Sequence, residues 1–111
     1  MKKINFNYGE FIYTEKLNNG INVYLYHTDK SKNFYATVST HFGAEVMKYK
    51  KGSKVYNVTK GSAHFLEHRV MDFTKNKDAA TKINELGSIV NAYTTYNGTN
   101  YNIFGTEDIL T

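Results

Sequence analysis

The 111-residue chain has no cysteine, no proline and no tryptophan, and its single arginine is Arg69. Lack of cysteine excludes disulfides and thiolate metal sites, and it fits a reducing compartment, so a cytoplasmic location is expected. Lack of proline argues against a Pro-rich linker. No apolar run approaches the roughly 20 residues that span a membrane. The N-terminus, Met1-Lys2-Lys3-Ile4-Asn5, begins like a secretory leader, but no apolar stretch follows the lysines. The scarcity of arginine also bears on charge. The net charge is +4 and the pI is near 9.2, with lysines clustered at 48–60 and 75–82. Phosphate and base recognition usually enlists the planar guanidinium fork. The two clusters therefore read as a solvated loop and a helix face, and neither a nucleic-acid nor a membrane partner is expected.

Apolar residues make up 41% of the chain, with ten Tyr and seven Phe. That permits one domain with a core, although a chain of this size buries only about two-thirds of its unfolded surface. Residues 11–17 and 21–27 alternate like strands, and Asn18-Asn19-Gly20 between them reads as a hairpin turn. Asp29 to Asn33 reads as a polar loop. Residues 34–42 alternate again, with Phe34, Ala36, Val38 and Phe42 inward. Residues 46–60 read as a loop or small excursion. A helix is expected over about 61–72, capped by Thr59 or Ser62. A second begins at Asp78, carries Ala79, Ile83 and Leu86 on one face, and stops at Gly87. Strands follow at 89–95 and 100–104, joined by a turn containing Asn97-Gly98. No repeat, low-complexity tract or internal domain boundary is visible.

Residues 64–68 read His-Phe-Leu-Glu-His. On a helix, His64 and His68 stack on one face, with Glu67 beside them. Two neutral imidazoles, an open position for water and a nearby carboxylate are what zinc hydrolysis requires. The order inverts the commoner His-Glu-x-x-His arrangement and is itself a zinc-peptidase signature. The plain alternative is a helix with two surface histidines and an ion-pairing glutamate. The flanks argue against it: Ala63, Phe65, Leu66, Val70 and Met71 predict a helix buried on most sides. His27 and His41 fall in predicted strands and are read as ordinary strand residues.

Gly61-Ser62-Ala63-His64-Phe65-Leu66-Glu67-His68 resembles the active-site helix of the insulinase/pitrilysin family of zinc metallopeptidases. Leu17 to Val23 is similar to that family's opening strand-turn-strand, and Thr40-His41-Phe42-Gly43-Ala44-Glu45 to the glycine-containing end of its next strand. Leu86 to Thr94 resembles the segment carrying the Asn-Ala-x-Thr strand, and Tyr101 to Thr106 the strand after it. The stretch Met47 to Lys60 resembles a bacterial subgroup, and the abundance of Lys, Asn and Tyr is a bias often seen in AT-rich bacterial genomes.

The resemblance implies an α+β domain with a mixed, largely antiparallel sheet and helices on one face. It implies that His64 and His68 ligate Zn2+, that Glu67 activates the water, and that Asn91, Ala92 and Tyr93 lie on an edge strand pairing with a peptide substrate. It also implies further peptidase-like domains or subunits closing around that substrate. The family's third zinc ligand is a glutamate on a later helix. Asp72, Asp78, Glu85, Glu107 and Asp108 do not match its context, so residues 1–111 are expected to form the N-terminal portion of an incomplete peptidase domain. Two functions follow: a zinc endopeptidase of which this is the ligand-bearing part, or a catalytically inactive peptidase-like fragment acting as an interaction module.

Overall fold

The structure, a computed structural model, describes residues 1–5, 7–72 and 79–109. The chain forms two compact units, residues 1–32 and 33–111, which part at the polar loop expected over 29–33. The composition gives no sign of this division.

The first unit is a meander of β1 (Lys2–Asn5), β2 (Phe11–Lys16) and β3 (Asn22–Tyr26), in that order. The predicted turn joins β2 to β3. Gly20 takes φ 89, and its N–H donates to the Leu17 carbonyl at 2.9 Å. The Asn19 side chain accepts from Ile21 N–H at 3.1 Å, so an asparagine and a positive-φ glycine do the work such turns assign them. β1 lacks an alternating apolar pattern and was not expected. Its Lys3 ammonium lies 3.6 Å from the centre of the Phe11 ring, a cation–π contact that joins it to β2. His27 falls just beyond β3, outside the strand expected for it.

The second unit holds a sheet of order β4-β8-β7, from β4 (Asn33–Thr40), β7 (Ile89–Thr94) and β8 (Thr99–Thr106). The ladders are antiparallel. Helices α1 (Ser62–Met71) and α2 (Ala79–Glu85) pack on β7. This is the expected α+β architecture. α2 ends as predicted. Gly87 takes φ 82; its N–H reaches the Asn84 carbonyl at 2.9 Å and Ser88 N–H reaches Ile83 at 3.2 Å, a Schellman closure. The expected Asp78 cap lies outside the described residues.

Two expectations change. The segment 46–60 is not a loop: β5 (Lys48–Lys51) and β6 (Lys54–Asn57) pair as a separate hairpin. The inward face of β4 is also largely bare. Phe34 is half-buried, but Ala36 is exposed and Val38 is 63% exposed, because both helices lie over β7 at the opposite edge. His41 sits in a bend past the end of β4.

Candidate metal centre

α1 starts without a side-chain cap. Gly61 precedes it at φ 85, and the Ser62 hydroxyl turns back to donate to the Thr59 carbonyl at 2.6 Å. Neither Thr59 nor Ser62 therefore caps the helix; a glycine makes the entry by adopting a left-handed conformation that other residues resist.

The helix presents two adjacent i, i+4 stripes. Ala63 and Glu67 form the inner one and are buried at 2% and 8% exposure. His64 and His68 form the outer one and face solvent. Their Nε2 atoms are 3.0 Å apart, and the rings are tilted by 38°. Two imidazoles on one tetrahedral zinc, at about 2.05 Å each, place their nitrogens roughly 3.3 Å apart. The observed pair lies within a few tenths of an ångström of that separation, so the donors fit the ion. Among the described residues, no set of three His, Cys, Asp or Glu side chains converges on one point.

The expectation of a helix buried on most sides is corrected. Phe65 is 69% exposed, and Leu66 and Val70 are exposed too. Among the described residues α1 packs on the sheet and, more lightly, on α2, so burial is confined to the stripe that faces the sheet.

Glu67 is held from the sheet. The Thr94 hydroxyl donates to its Oε2 at 2.5 Å. Thr94 Oγ1 also lies 3.2 Å from Thr99 Oγ1, and Thr99 donates to the Phe42 carbonyl at 2.8 Å. Each hydroxyl has one proton and donates it elsewhere, so two separate bonds lie side by side, one from β7 to the carboxylate and one from β8 to the segment that follows β4. Thr99 is the most enclosed side chain of the set at 2% exposure. Burial first, and the Glu67 carboxylate second, push the Tyr101 phenol above its ordinary value. A neutral phenol and an acceptor carboxylate thus share this face.

The bond from Thr99 to Phe42 depends on a close backbone approach. A Cβ on Gly43 would overlap the main chain of Gly98, Tyr96 and Asn97. With no side chain there, Ala44 and Glu45 N–H bond to the Thr95 and Tyr96 carbonyls at 2.9 and 3.1 Å, and Phe42 is brought to Thr99. The sequence reading assigned no role to Thr94 or Thr99. The available signal was a polar residue on the helix-facing parity of strand 89–95.

Among the described residues β7 is one of the two edge strands of its sheet, β4 being the other. Thr94 touches the helix, so alternation places Ala92 and Val90 on that face and Asn91 and Tyr93 on the other. Asn91 and Ala92 therefore do not both face α1, because adjacent strand residues point to opposite sides. Thr95 N–H bonds to Gly98, so the alternating ladder leaves the N–H of Ala92 on the open edge. The Asn91 side chain accepts from it at 2.9 Å.

In sequence and fold the chain is similar to known proteins. Residues 35–108 match the model of the family described as Insulinase (Peptidase family M16). Over 102 residues the chain is 28% identical to the "Uncharacterized zinc protease YmfH" of Bacillus subtilis (strain 168), covering 90% of this chain and 24% of that protein. It superposes with a TM-score of 0.82 and 28% identity on the crystal structure of a protein described as M16-like peptidase from Alicyclobacillus acidocaldarius, covering 96% of this chain and 25% of that one. The chain spans about a quarter of the length of both.

Proposed function

Because the chain belongs to the insulinase family, peptidase family M16, we propose that it is the histidine-bearing part of a zinc endopeptidase. The observation that carries the reading is the pair of Nε2 atoms 3.0 Å apart, with a sheet-anchored carboxylate on the same helix. His64 and His68 hold the ion. Zinc, when bound, supplies the Lewis acidity that makes a water nucleophilic near neutral pH.

Glu67 takes the proton from the attacking water and returns it to the leaving amine as the carbonyl carbon gains an oxygen and loses its nitrogen. Thr94 donates to one carboxylate oxygen and leaves the other to accept that proton. The substrate adds as a strand along β7 at Asn91, Ala92 and Tyr93, so main-chain hydrogen bonds provide affinity without demanding one sequence. For that to happen the Asn91 carboxamide releases Ala92 N–H. The third zinc ligand and the groups closing over the peptide come from polypeptide beyond this chain. The absence of cysteine supports a cytoplasmic setting.

The test uses polypeptide extended to the relatives' length. Glu67→Gln should abolish peptide hydrolysis while zinc content is unchanged, because an amide cannot take the proton at neutral pH. His64→Ala and His68→Ala should lose both. Substantial turnover in Glu67→Gln would overturn the base assignment. Full zinc occupancy in the unsubstituted protein with no cleavage of any peptide would instead favour the inactive peptidase-like module.

A further inference from the structure

Residues 46–60 carry five lysines and no aspartate or glutamate. The whole chain has a net charge of +4, so this segment alone accounts for the chain's entire positive excess. It is an ordered hairpin with Gly52 at φ 63 in its turn. The register pairs Tyr49 with Tyr56 and Lys51 with Lys54, and alternation puts all four on one face. The tyrosine rings stack with centres 5.0 Å apart and planes 9° from parallel. The Lys54 ammonium lies 5.1 Å from the Tyr56 ring.

Lys51 and Lys54 stand directly across the ladder from each other, a placement that destabilises a sheet. No ion pair relieves Lys51 among the described residues. Among the described residues nothing pairs with either edge of the two-stranded sheet, and such edges present unpaired main-chain groups. Val58 N–H donates to the Met47 carbonyl at 2.9 Å at the base, and β6 runs through Thr59 to Gly61 straight into α1.

We propose that the β5–β6 hairpin is a docking site for an acidic, extended segment of polypeptide. Such a segment engages every feature at once. Its backbone adds to an open edge, its carboxylates meet Lys51 and Lys54, and its carbon chains lie on the tyrosine pair. Nucleic acid fits less well, because the hairpin has no arginine for phosphate. An anionic bilayer fits less well too: the sole aliphatic residue of the two strands is Val55, on the opposite face, and surface-bound elements need an apolar side to insert. The proposal needs no metal and stands apart from the peptidase reading.

The test is binding of a fluorescein-labelled octaglutamate peptide to the metal-free chain, followed by anisotropy at about 50 mM salt, where screening is weak. Lys51→Gln/Lys54→Gln should weaken binding about tenfold, and raising salt to roughly 300 mM should do the same. Tyr49→Ala/Tyr56→Ala should weaken it by a smaller factor. The charge-matched control Lys2→Gln/Lys16→Gln, in the first unit, should stay within about threefold of the unsubstituted chain. Circular dichroism on each variant verifies the fold. The proposal is overturned if the control weakens binding as much as the hairpin variant. It is also overturned if octaglutamine binds as well as octaglutamate, or if oligothymidylate or phosphatidylserine vesicles bind more tightly than the acidic peptide.

Discussion

Replacing Thr94 with valine keeps the shape of the side chain and removes only the hydroxyl that holds Glu67. The hydroxyl donates to Oε2 at 2.5 Å, and the carboxylate it serves is 8% exposed. A hydrogen bond to a charged group contributes about 1.5–3 kcal/mol, and a buried charged acceptor left unserved costs at least as much again unless it moves to water. Partial relaxation toward solvent sets the expected loss at about 2 kcal/mol. With a urea slope of about 1–2 kcal/mol/M for a domain of this size, the unfolding midpoint should fall by roughly 1–2 M. Thr94→Ser keeps the donor and should recover most of that. In a Glu67→Gln background the acceptor is neutral, so the valine penalty should shrink to about 1 kcal/mol. A valine midpoint within about 0.2 M of the unsubstituted chain, below half a kcal/mol at that slope, would refute the claim that the Thr94 hydroxyl holds the carboxylate. So would an equal loss in serine.

Gly43→Ala should cost about 3 kcal/mol or more, because the new Cβ meets main chain that cannot swing aside; a urea midpoint unchanged by the substitution would show that the turn can shift. Asn91→Ala should speed amide exchange at Ala92 by removing the acceptor 2.9 Å from its N–H, without the same acceleration at Tyr93, whose N–H faces β8. The phenol of Tyr101 is raised above its unfolded value by burial and then by Glu67. The stability it contributes is therefore fully present below the unfolded value and is lost as pH rises from there toward the folded one. Urea midpoints measured from about pH 9 to 11 should fall, less steeply in Tyr101→Phe and partly so in Glu67→Gln.

The elements that were legible are those whose signal is local. The Asn18-Asn19-Gly20 turn, the Gly87 stop and the His64–His68 pair each rest on chemistry within a few residues of chain. What escaped was set by distance or by covering. The 48–57 hairpin carries lysines in place of alternating apolar residues, so its pairing shows only in the register that opposes Tyr49 to Tyr56. The exposure of Phe65, Leu66 and Val70 could not be read, because apolar residues announce that something covers them without saying whether it belongs to the same chain. The Thr94–Glu67 and Thr99–Phe42 bonds join residues 27 and 57 positions apart, and hydroxyls on strands have no pattern that names their acceptor.

Among the described residues, the buried side chains are Ala63, Glu67, Ser88, Thr99 and Asn102, one apolar and four polar. In most small domains an apolar interior holds the fold and the reactive groups sit at its margin, so the two can be varied separately. Here the carboxylate lies within the interior itself. Variants of this chain selected only for soluble yield or heat resistance will be drawn toward methionine or leucine at position 67, since apolar groups of similar volume tend to outperform a buried charge. Selection for robustness then removes the buried carboxylate without any change of shape, and a well-folded descendant of this chain gives no assurance that it still carries an acid at position 67.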